Sequence, residues 1–276
     1  MWQSGDKHFR TFGLAVGVGR RLNWPDPYFT LYNEISYQSY NLKDWDYFMS
    51  NFTNGSSNIF ALTTTFGRSS VDQPIYPRRG SDFSISVTLT PPYSLFDGKD
   101  YSDPTMENSE KYKFIEYHRW KLKGQWFYPL SRNGNLVLMA KAEMGYLGSY
   151  DKDKKSPFEG FDIGGDGMSG YNVYGVDIIG LRGYENGALT PSTSNRDYAR
   201  AYNKYTVELR YPFILKPSST IYGLVFVEGG NGFTGWDTFN PFNIKRSAGI
   251  GVQLYLPVVG MLGVSWGYGF DKAVGS

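Results

Sequence analysis

The feature that most constrains this chain is a strict alternation of apolar and polar side chains, which is strongest after residue 200. In the segment 204–211, KYTVELRY, every odd position is apolar or aromatic and every even position is polar or charged. The segment 247–256 alternates in the same way. Because side chains of a β-strand point alternately to its two faces, the pattern predicts strands with one face for hydrocarbon and one for water.

In the segment 262–270, LGVSWGYGF, large apolar residues alternate with Gly or Ser. A strand of a soluble sandwich normally places solvated Lys, Glu or Thr on its outer face. A row of Gly and Ser instead suits a crowded barrel interior, or a second backbone that lies close by. This strand therefore favours a barrel.

Comparable patterns along the rest of the chain raise the number of predicted strands to about ten. Many of them exceed the ~5–6 residues usual in soluble sheets and approach the ~9–11 residues that cross a bilayer. The further strands lie near residues 8–20, 27–41, 57–68, 81–91, 113–128, 134–149 and 220–230.

The links between these strands alternate in length. Short links rich in Pro, Gly, Asn and Ser lie at 23–27, 129–135, 212–219 and 257–260. Long polar links lie at 42–56, 92–112, 150–200 and 231–243, and the link 69–80 is intermediate. Short turns on one side and long loops on the other are the signature of an outer-membrane barrel, whose short turns are periplasmic. We therefore predict an all-β fold, an antiparallel transmembrane β-barrel.

Composition excludes several other classes of protein and of functional site. The absence of Cys excludes disulfide frameworks and thiol catalysis, and 28 basic against 26 acidic residues give no electrostatic case for a nucleic-acid partner. The only histidines, His8 and His118, lie far apart in the strand pattern, so neither a metal site nor a Ser-His-Asp triad is indicated. A mean hydropathy of −0.41 excludes a helical membrane protein, but barrel strands alternate and average out as polar.

Aromatic residues gather near strand ends, as in the interfacial girdles of membrane barrels. The alternative is that they pack the core of a soluble all-β binding module. The residues assigned to girdles are Trp120, Trp126, Phe127, Tyr128, Trp266, Tyr268 and Phe270.

The charged residues predicted to face the lumen are interpreted as mutual ion pairs and hydration sites, or alternatively as the lining of a pore. They are Lys121, Lys123, Lys141, Glu143, Lys204, Glu208 and Arg210.

The long link at about 150–200 carries two further patterns. The run DKDKK at 151–155 is interpreted as a solvated loop face. The segment 161–170, FDIGGDGMSG, does not match the acidic spacing of an EF-hand loop, so its glycines are expected to let the backbone turn inside the barrel. No metal site or cofactor is predicted.

The same link resembles a known family. The stretch 157–191 contains IIGLRGYENG and is similar to the sixth extracellular loop of the BamA family, within the BamA/TamA superfamily of outer-membrane assembly proteins. In that family the loop folds back into the barrel and carries an Arg-Gly-Phe/Tyr motif at its tip. Here the motif is Leu181-Arg182-Gly183-Tyr184. The resemblance therefore implies a loop that enters the lumen.

Two later segments extend the resemblance. The segment 221–233, IYGLVFVEGGNGF, resembles the family's inward-facing Phe-x-Asp-x-Gly strand, with Phe226, with Glu228 in place of Asp, and with Gly229 directly adjacent. The segment 244–270 resembles the penultimate hairpin. The motifs occur in the family's order and span essentially the whole chain.

Alternation tests the implied contact independently of the resemblance. If Val225 and Val227 take the lipid face, then Phe226 and Glu228 point into the lumen. Glu228 is therefore oriented to meet Arg182, whose planar fork of donors matches a carboxylate in a bidentate fashion. The alternative is that Arg182 lies on a solvated loop and makes no specific contact.

The resemblance implies a sixteen-stranded barrel preceded by periplasmic POTRA domains. Residues 1–276 are then expected to be a partial outer-membrane β-barrel domain holding about ten strands, the sixth through the fifteenth. The implied function is insertion and folding of nascent outer-membrane β-barrel proteins in a Gram-negative bacterium. No bond chemistry is required, so the chain is predicted not to be an enzyme.

The implied partners are nascent β-barrel proteins, accessory outer-membrane lipoproteins or other assembly subunits, and the lipid bilayer. Two other functions stay open at this point. One is a translocation relative of the TamA or two-partner-secretion type, and the other is a passive outer-membrane channel.

Overall fold

The computed structural model describes residues 2–4, 7–45, 52–167, 175–191, 198–216 and 218–273. Within them, one antiparallel sheet of eleven strands runs in the order β1-β2-β3-β4-β5-β6-β7-β10-β11-β12-β13, and β8 and β9 form a separate parallel pair. The strands are β1 (Trp2–Ser4), β2 (Lys7–Arg21), β3 (Phe29–Lys43), β4 (Gly55–Ser69), β5 (Gly80–Leu89), β6 (His118–Pro129), β7 (Val137–Gly148), β8 (Gly160–Ile163), β9 (Val176–Ile179), β10 (Ala201–Lys216), β11 (Ser219–Phe233), β12 (Lys245–Leu256) and β13 (Gly260–Gly269).

The ten predicted strands correspond to the ten long strands of the main sheet, so the predicted fold class is confirmed. The link between β5 and β6 adds a 3₁₀ turn, Tyr93–Leu95, and the short helix α1, Asn108–Lys111. None of the helices in the described part of the chain is long and apolar enough to cross a membrane.

Two predicted boundaries were wrong, and each error has a local cause. The link predicted at 212–219 is mostly strand, because β10 continues through Pro212 to Lys216. Its pairing with β11 shifts register between Pro212 and Ile214. A bulge of this kind accommodates a residue that lacks a backbone N–H.

The strand predicted at 113–128 begins only at His118. The preceding residues pair with β4 and not with β5: Phe114 makes an isolated parallel bridge with Asn58, and the Ile115 N–H donates to the Asn58 carbonyl at 3.0 Å. The apolar residues Phe114 and Ile115 had suggested a strand, but they belong to the link.

The links sort onto the two ends of the sheet as predicted. At one end of the sheet, the chain passes from β2 to β3, β4 to β5, β6 to β7, β10 to β11 and β12 to β13. At the other end, it passes from β3 to β4, β5 to β6, β7 to β10 and β11 to β12. The link of intermediate length therefore lies among the short turns.

The two faces of the sheet differ as the alternation predicted. On β11, Val225 and Val227 expose 54% and 55% of their surface, whereas Phe226 and Glu228 expose 1% and 2%. One predicted girdle residue is misplaced, because Phe127 is buried on the inner face. It follows Trp126 and precedes Tyr128, so strand alternation forces it inward while both neighbours face out.

The inner face is filled rather than open. At the long-loop end, residues of the link 149–200 pack in an apolar cluster with Phe9 and Tyr40 of β2 and β3. At the short-turn end, Tyr76 packs edge-on against Tyr222 with ring centroids 5.0 Å apart, and its hydroxyl donates to the Asn135 carbonyl at 2.9 Å. The sheet therefore encloses a core at both ends of its inner face.

We expect Val225→Arg to destabilise the folded protein in lipid vesicles by ~2–4 kcal/mol, because a cation near the centre of a lipid-facing strand loses its hydration. Val258→Arg is the matched control, since Val258 lies in the turn between β12 and β13 and exposes 96% of its surface. The measurement is urea unfolding in vesicles. Equal stability of the two variants would show that the outer face of β11 does not meet hydrocarbon.

Candidate functional site at the tip of the long loop

The link between β7 and β10, in which the sequence predicts no strand, holds a short sheet of its own. It contains β8 and β9, which pair in parallel with Gly160 opposite Val176 and Ile163 opposite Ile179. Strands of only four residues are too short to show an alternation pattern, which explains why the sequence did not reveal them.

Glycines turn the backbone after β8. Gly164, Gly165 and Gly167 have φ values of +132°, +72° and +80°, a region that residues with a side chain rarely adopt. This is the role predicted for the glycines of the segment 161–170, of which residues 168–170 lie outside the described residues. The Gly165 N–H donates to the Tyr184 carbonyl at 3.1 Å, so the turn is tied to the motif.

The loop is anchored inside the sheet by apolar side chains. Phe161, Ile163, Leu181 and Leu189 are completely buried. Phe161 and Ala199 exchange two backbone hydrogen bonds of 2.9 Å, which join the start of the loop to its end. The loop tip is therefore held by a packed core and not by the motif alone.

Arg182 meets Glu228 through two groups. Its guanidinium Nη2 lies 2.8 Å from Glu228 Oε1, and its backbone N–H donates to Glu228 Oε2 at 2.8 Å. The same Nη2 lies 2.6 Å from Glu208 Oε1 on the neighbouring strand β10. The guanidinium carbon stands 3.6 Å from the centroid of the Phe226 ring, a cation–π contact. The predicted pair is present, with a second carboxylate added.

Further cations complete this cluster. Arg210 Nη2 lies 2.6 Å from Glu208 Oε2, and Lys204 Nζ lies 3.5 Å from Glu228 Oε1. Lys204 also donates to the carbonyl of Gly180, just before the motif. Both carboxylates are almost completely buried, so their charge must be balanced by these neighbours.

Other predicted lumenal charges also form pairs. Lys141 Nζ lies 2.7 Å from Glu143 Oε2, and Lys121 Nζ lies 3.2 Å from Asp177 Oδ2 of the loop. Lys141 and Glu143, together with the motif cluster, line a polar cavity of about 370 Å³. The interpretation of these residues as mutual lumenal pairs holds for the pairs named here.

Gly183 brings the loop backbone into contact with the last two strands. Its φ is +95°, and a Cβ atom there would lie 2.9 Å from the Tyr268 carbonyl carbon and 3.0 Å from Ser247 Cβ. A Cβ at Gly269 would in turn lie 2.8 Å from the Gly183 carbonyl oxygen. The Gly/Ser row of β13 therefore accommodates a second backbone, as its sequence indicated.

Tyr184 and Leu181 flank this contact. The Tyr184 hydroxyl donates to the Arg246 carbonyl at 2.8 Å and accepts from the Asp271 N–H at 3.3 Å. The hydroxyl is thus bonded to backbone groups at both of these positions. Leu181 is buried against Gly230, where a Cβ would lie 2.7 Å from its Cδ1.

Gly229 does not take the lumenal position that was expected for it. It lies on the opposite face of β11 from Glu228, and a Cβ there would lie 2.9 Å from Ile244 Cδ1. The glycine that faces the loop is Gly230. Alternation from Glu228 could have shown this, because residues two apart share a face.

Sequence reasoning missed a second buried ion pair, which joins two long loops. Lys154 Nζ lies 3.5 Å from Glu116 Oε2, and both side chains are almost completely buried. Lys154 also donates to the Tyr101 hydroxyl at 2.8 Å. Burial lowers the pKa of Lys154, and the Glu116 carboxylate opposes that shift. The solvated interpretation of the run 151–155 was therefore wrong for Lys154.

The motif Leu181–Tyr184 thus contacts β10, β11, β12 and β13, four consecutive strands. Residues 5–275 match the Omp85 superfamily domain. The chain belongs to the Omp85 superfamily. The predicted resemblance to the BamA/TamA superfamily is confirmed at this level, and the sheet is the wall of an integral barrel in the outer membrane of a Gram-negative bacterium.

Two Omp85-type relatives are informative. Outer membrane protein assembly factor BamA of Neisseria meningitidis serogroup B is 25% identical over 153 residues, which are 55% of this chain and 14% of that protein. The crystal structure of BamA from Haemophilus ducreyi lacking POTRA domains 1–3 has a TM-score of 0.68 at 19% identity. That match covers 96% of this chain and 52% of the other. The chain therefore spans about half of the solved relative and a small part of the curated one.

We expect Gly183→Ala to destabilise this Omp85 barrel more than Gly260→Ala, by about 1–3 kcal/mol. Gly260 is the matched control because its φ of +89° is close to that of Gly183, whereas a Cβ there would meet nothing within 4 Å. The comparison therefore isolates the contact with β12 and β13 from backbone strain. Urea unfolding of both variants in vesicles measures it, and equal losses would refute close packing at Gly183.

A pH dependence is expected at Asp271, just beyond β13. Hydrogen bonds from the Arg246 side chain and backbone N–H lower the pKa of Asp271 from 3.8 to about 2. A carboxyl whose pKa is lower in the folded state stabilises it above pH 3.8, and this contribution is lost as the pH falls toward about 2. As the pH is lowered across that range, the melting temperature should fall more steeply for the wild type than for Asp271→Asn. Parallel curves would contradict the contact.

Proposed function

We propose that this barrel takes part in the insertion and folding of nascent β-barrel proteins in the outer membrane, and that the tip of its long loop braces the wall during that process. The observation that carries the proposal is the contact of one four-residue motif with four consecutive strands. Membership of the Omp85 superfamily and similarity to an outer membrane protein assembly factor support it.

The brace depends on the direction of its contacts. Arg182 does not use the bidentate fork expected from the sequence: its Nη2 atom is shared by two carboxylates, and its backbone N–H bonds one of them. These directional contacts fix the distance and the orientation of the loop tip, which apolar packing alone does not. Arg182 engages both β10 and β11, while Gly183 and Tyr184 engage β12 and β13. Any change in the relative position of these strands would have to break one of those contacts.

The proposed assembly role is based on the resemblance to the BamA family. The ten long strands correspond to the sixth through the fifteenth of a sixteen-stranded barrel, and an exposed strand edge would receive an incoming strand by β-augmentation. The partners are nascent β-barrel proteins, accessory outer-membrane lipoproteins and the bilayer. The proposed role involves no bond chemistry, so we propose a non-enzyme.

A passive channel is less well supported. In the described part of the chain, the loop and two apolar clusters occupy the lumen. The charges that line its polar cavity are also engaged with one another, as in the pairs Lys141–Glu143 and Arg210–Glu208. A translocation role of the TamA or two-partner-secretion type is the alternative within the superfamily, and secretion of a partner protein by the reconstituted full-length protein would support it.

We expect Arg182→Gln and Glu228→Gln each to reduce assembly of a reporter β-barrel protein at least about tenfold. Each change removes one partner of a buried ion pair, which typically costs ~3–5 kcal/mol, although Lys204 stays beside Glu228 and Glu208 stays beside Arg182. Because the two residues are in contact, the double variant should lose less than the sum of the single changes. Neutral changes are preferable to a charge exchange, because a glutamate at position 182 would also face Glu208.

Glu143→Gln is the matched control, since Glu143 is also lumenal and paired but does not belong to the cluster around the motif. Heat-modifiability on gels reports separately whether each variant barrel is folded. Normal assembly of the reporter by a folded Arg182→Gln barrel would refute the proposal that the loop tip braces the wall. Large, steady conductance of the wild type in planar bilayers would instead favour the channel.

A further inference from the structure

The outer face of the barrel carries an apolar groove at the long-loop end. Two cross-strand pairs of β6 and β7 form its floor, Trp120 opposite Tyr146 and Leu122 opposite Met144. The link between β11 and β12 folds over this surface instead of over the lumen. The resulting groove has a volume of about 400 Å³, within the ~300–1,000 Å³ range of ligand sites.

Aromatic rings build the wall of the groove. Trp236 and Phe239 stack with centroids 5.0 Å apart and an interplanar angle of 8°, and Trp236 meets Tyr146 edge-on at 5.4 Å. Phe239 is held in turn by Phe233 at 5.2 Å. Trp236 nevertheless exposes 63% of its surface. The wall is thus positioned by contacts with the barrel while a large apolar surface stays uncovered.

A polar pocket of about 240 Å³ adjoins the groove and shares Tyr146 and Trp236 with it. Lys155 and Arg200 line this pocket together with one carboxylate, Asp237. Arg200 is oriented by a hydrogen bond of 2.9 Å to the Ser156 carbonyl, and Lys155 is exposed. Cations therefore outnumber anions among these three side chains.

The apolar groove and the polar pocket follow one another along the barrel in the same order as the apolar interior and the polar surface of a membrane. The floor of the groove lies on strands, whereas Lys155, Arg200 and Asp237 lie in links beyond the strand ends. Long loops of outer-membrane barrels face the outside, so the apolar part lies at the level of the outer leaflet and the cationic part lies at its surface. An aromatic girdle alone would not require a cationic pocket that shares its walls.

We propose that this groove binds an anionic, phosphate-bearing lipid of the outer leaflet. One acyl chain lies along Trp120, Leu122 and Met144 under the ring of Trp236, and Lys155 and Arg200 bind the headgroup phosphate. The groove is on the outer face of the wall and the polar pocket lies at its long-loop rim, and neither shares a lining residue with the loop tip. Occupancy of this site therefore does not depend on the proposed assembly role.

The test uses the full-length protein in detergent, titrated with phosphatidylglycerol or phosphatidylcholine carrying brominated acyl chains, which quench nearby tryptophans. We expect tighter binding of phosphatidylglycerol than of phosphatidylcholine. Trp236→Ala should weaken binding of phosphatidylglycerol about tenfold, with bound lipid counted by native mass spectrometry because the variant lacks a reporter ring. Lys155→Glu should reduce the preference for phosphatidylglycerol about tenfold, whereas Asp237→Asn should increase it.

Two control variants come from the same links. Phe242 exposes 88% of its surface in the link of Trp236 but does not line the groove, so Phe242→Ala should bind like the wild type. Lys152→Glu changes charge beside Lys155 without lining the pocket and should preserve the preference. Equal binding of the two lipids by the wild type, or equal effects of Trp236→Ala and Phe242→Ala, would overturn the proposal.

Discussion

The arrangement inside this barrel depends on one requirement, that a carboxylate removed from water must be neutralised by a close partner. Glu228 exposes 2% of its surface on a strand whose other face meets lipid, so only the lumen can supply a cation. Arg182 and Lys204 both supply one, and the Arg182 backbone N–H also bonds the same carboxylate. The charge on the wall therefore acts together with the apolar core of the loop to position its tip.

Once Arg182 is placed there, the neighbouring residues are constrained by space. The chain passes Gly269 of β13 at a distance that excludes a Cβ atom and Gly267 at a distance that leaves little room for one, and Gly230 must make room for Leu181. Bare positions on two different strands, β11 and β13, thus serve a single contact. Glycine costs conformational entropy in a strand, and here the close approach of a second backbone offsets that cost.

The period of two predicted the strands, their faces and the inward direction of Glu228, because a strand buried on one face and bounded by lipid on the other leaves little freedom in the placement of side chains. It could not predict that Glu208 shares Arg182, since that depends on the register between β10 and β11, where Glu208 stands opposite Phe226. Lys154 was misjudged for a related reason. Its partner Glu116 lies on another loop, and nothing local in the sequence signals that approach.

Different interactions attach the loop to the two sides of the barrel wall, and this difference affects how the barrel could change shape. Toward β3 it packs Phe158 against Tyr40, with stacked rings 4.3 Å apart, an apolar contact that has no strict orientation. Toward β10 to β13 it uses charge-assisted hydrogen bonds of Arg182 and direct backbone contact, which tolerate little rotation. A distortion of the wall is therefore expected to be absorbed first at the aromatic side, while β10 to β13 and the loop tip move together as one unit.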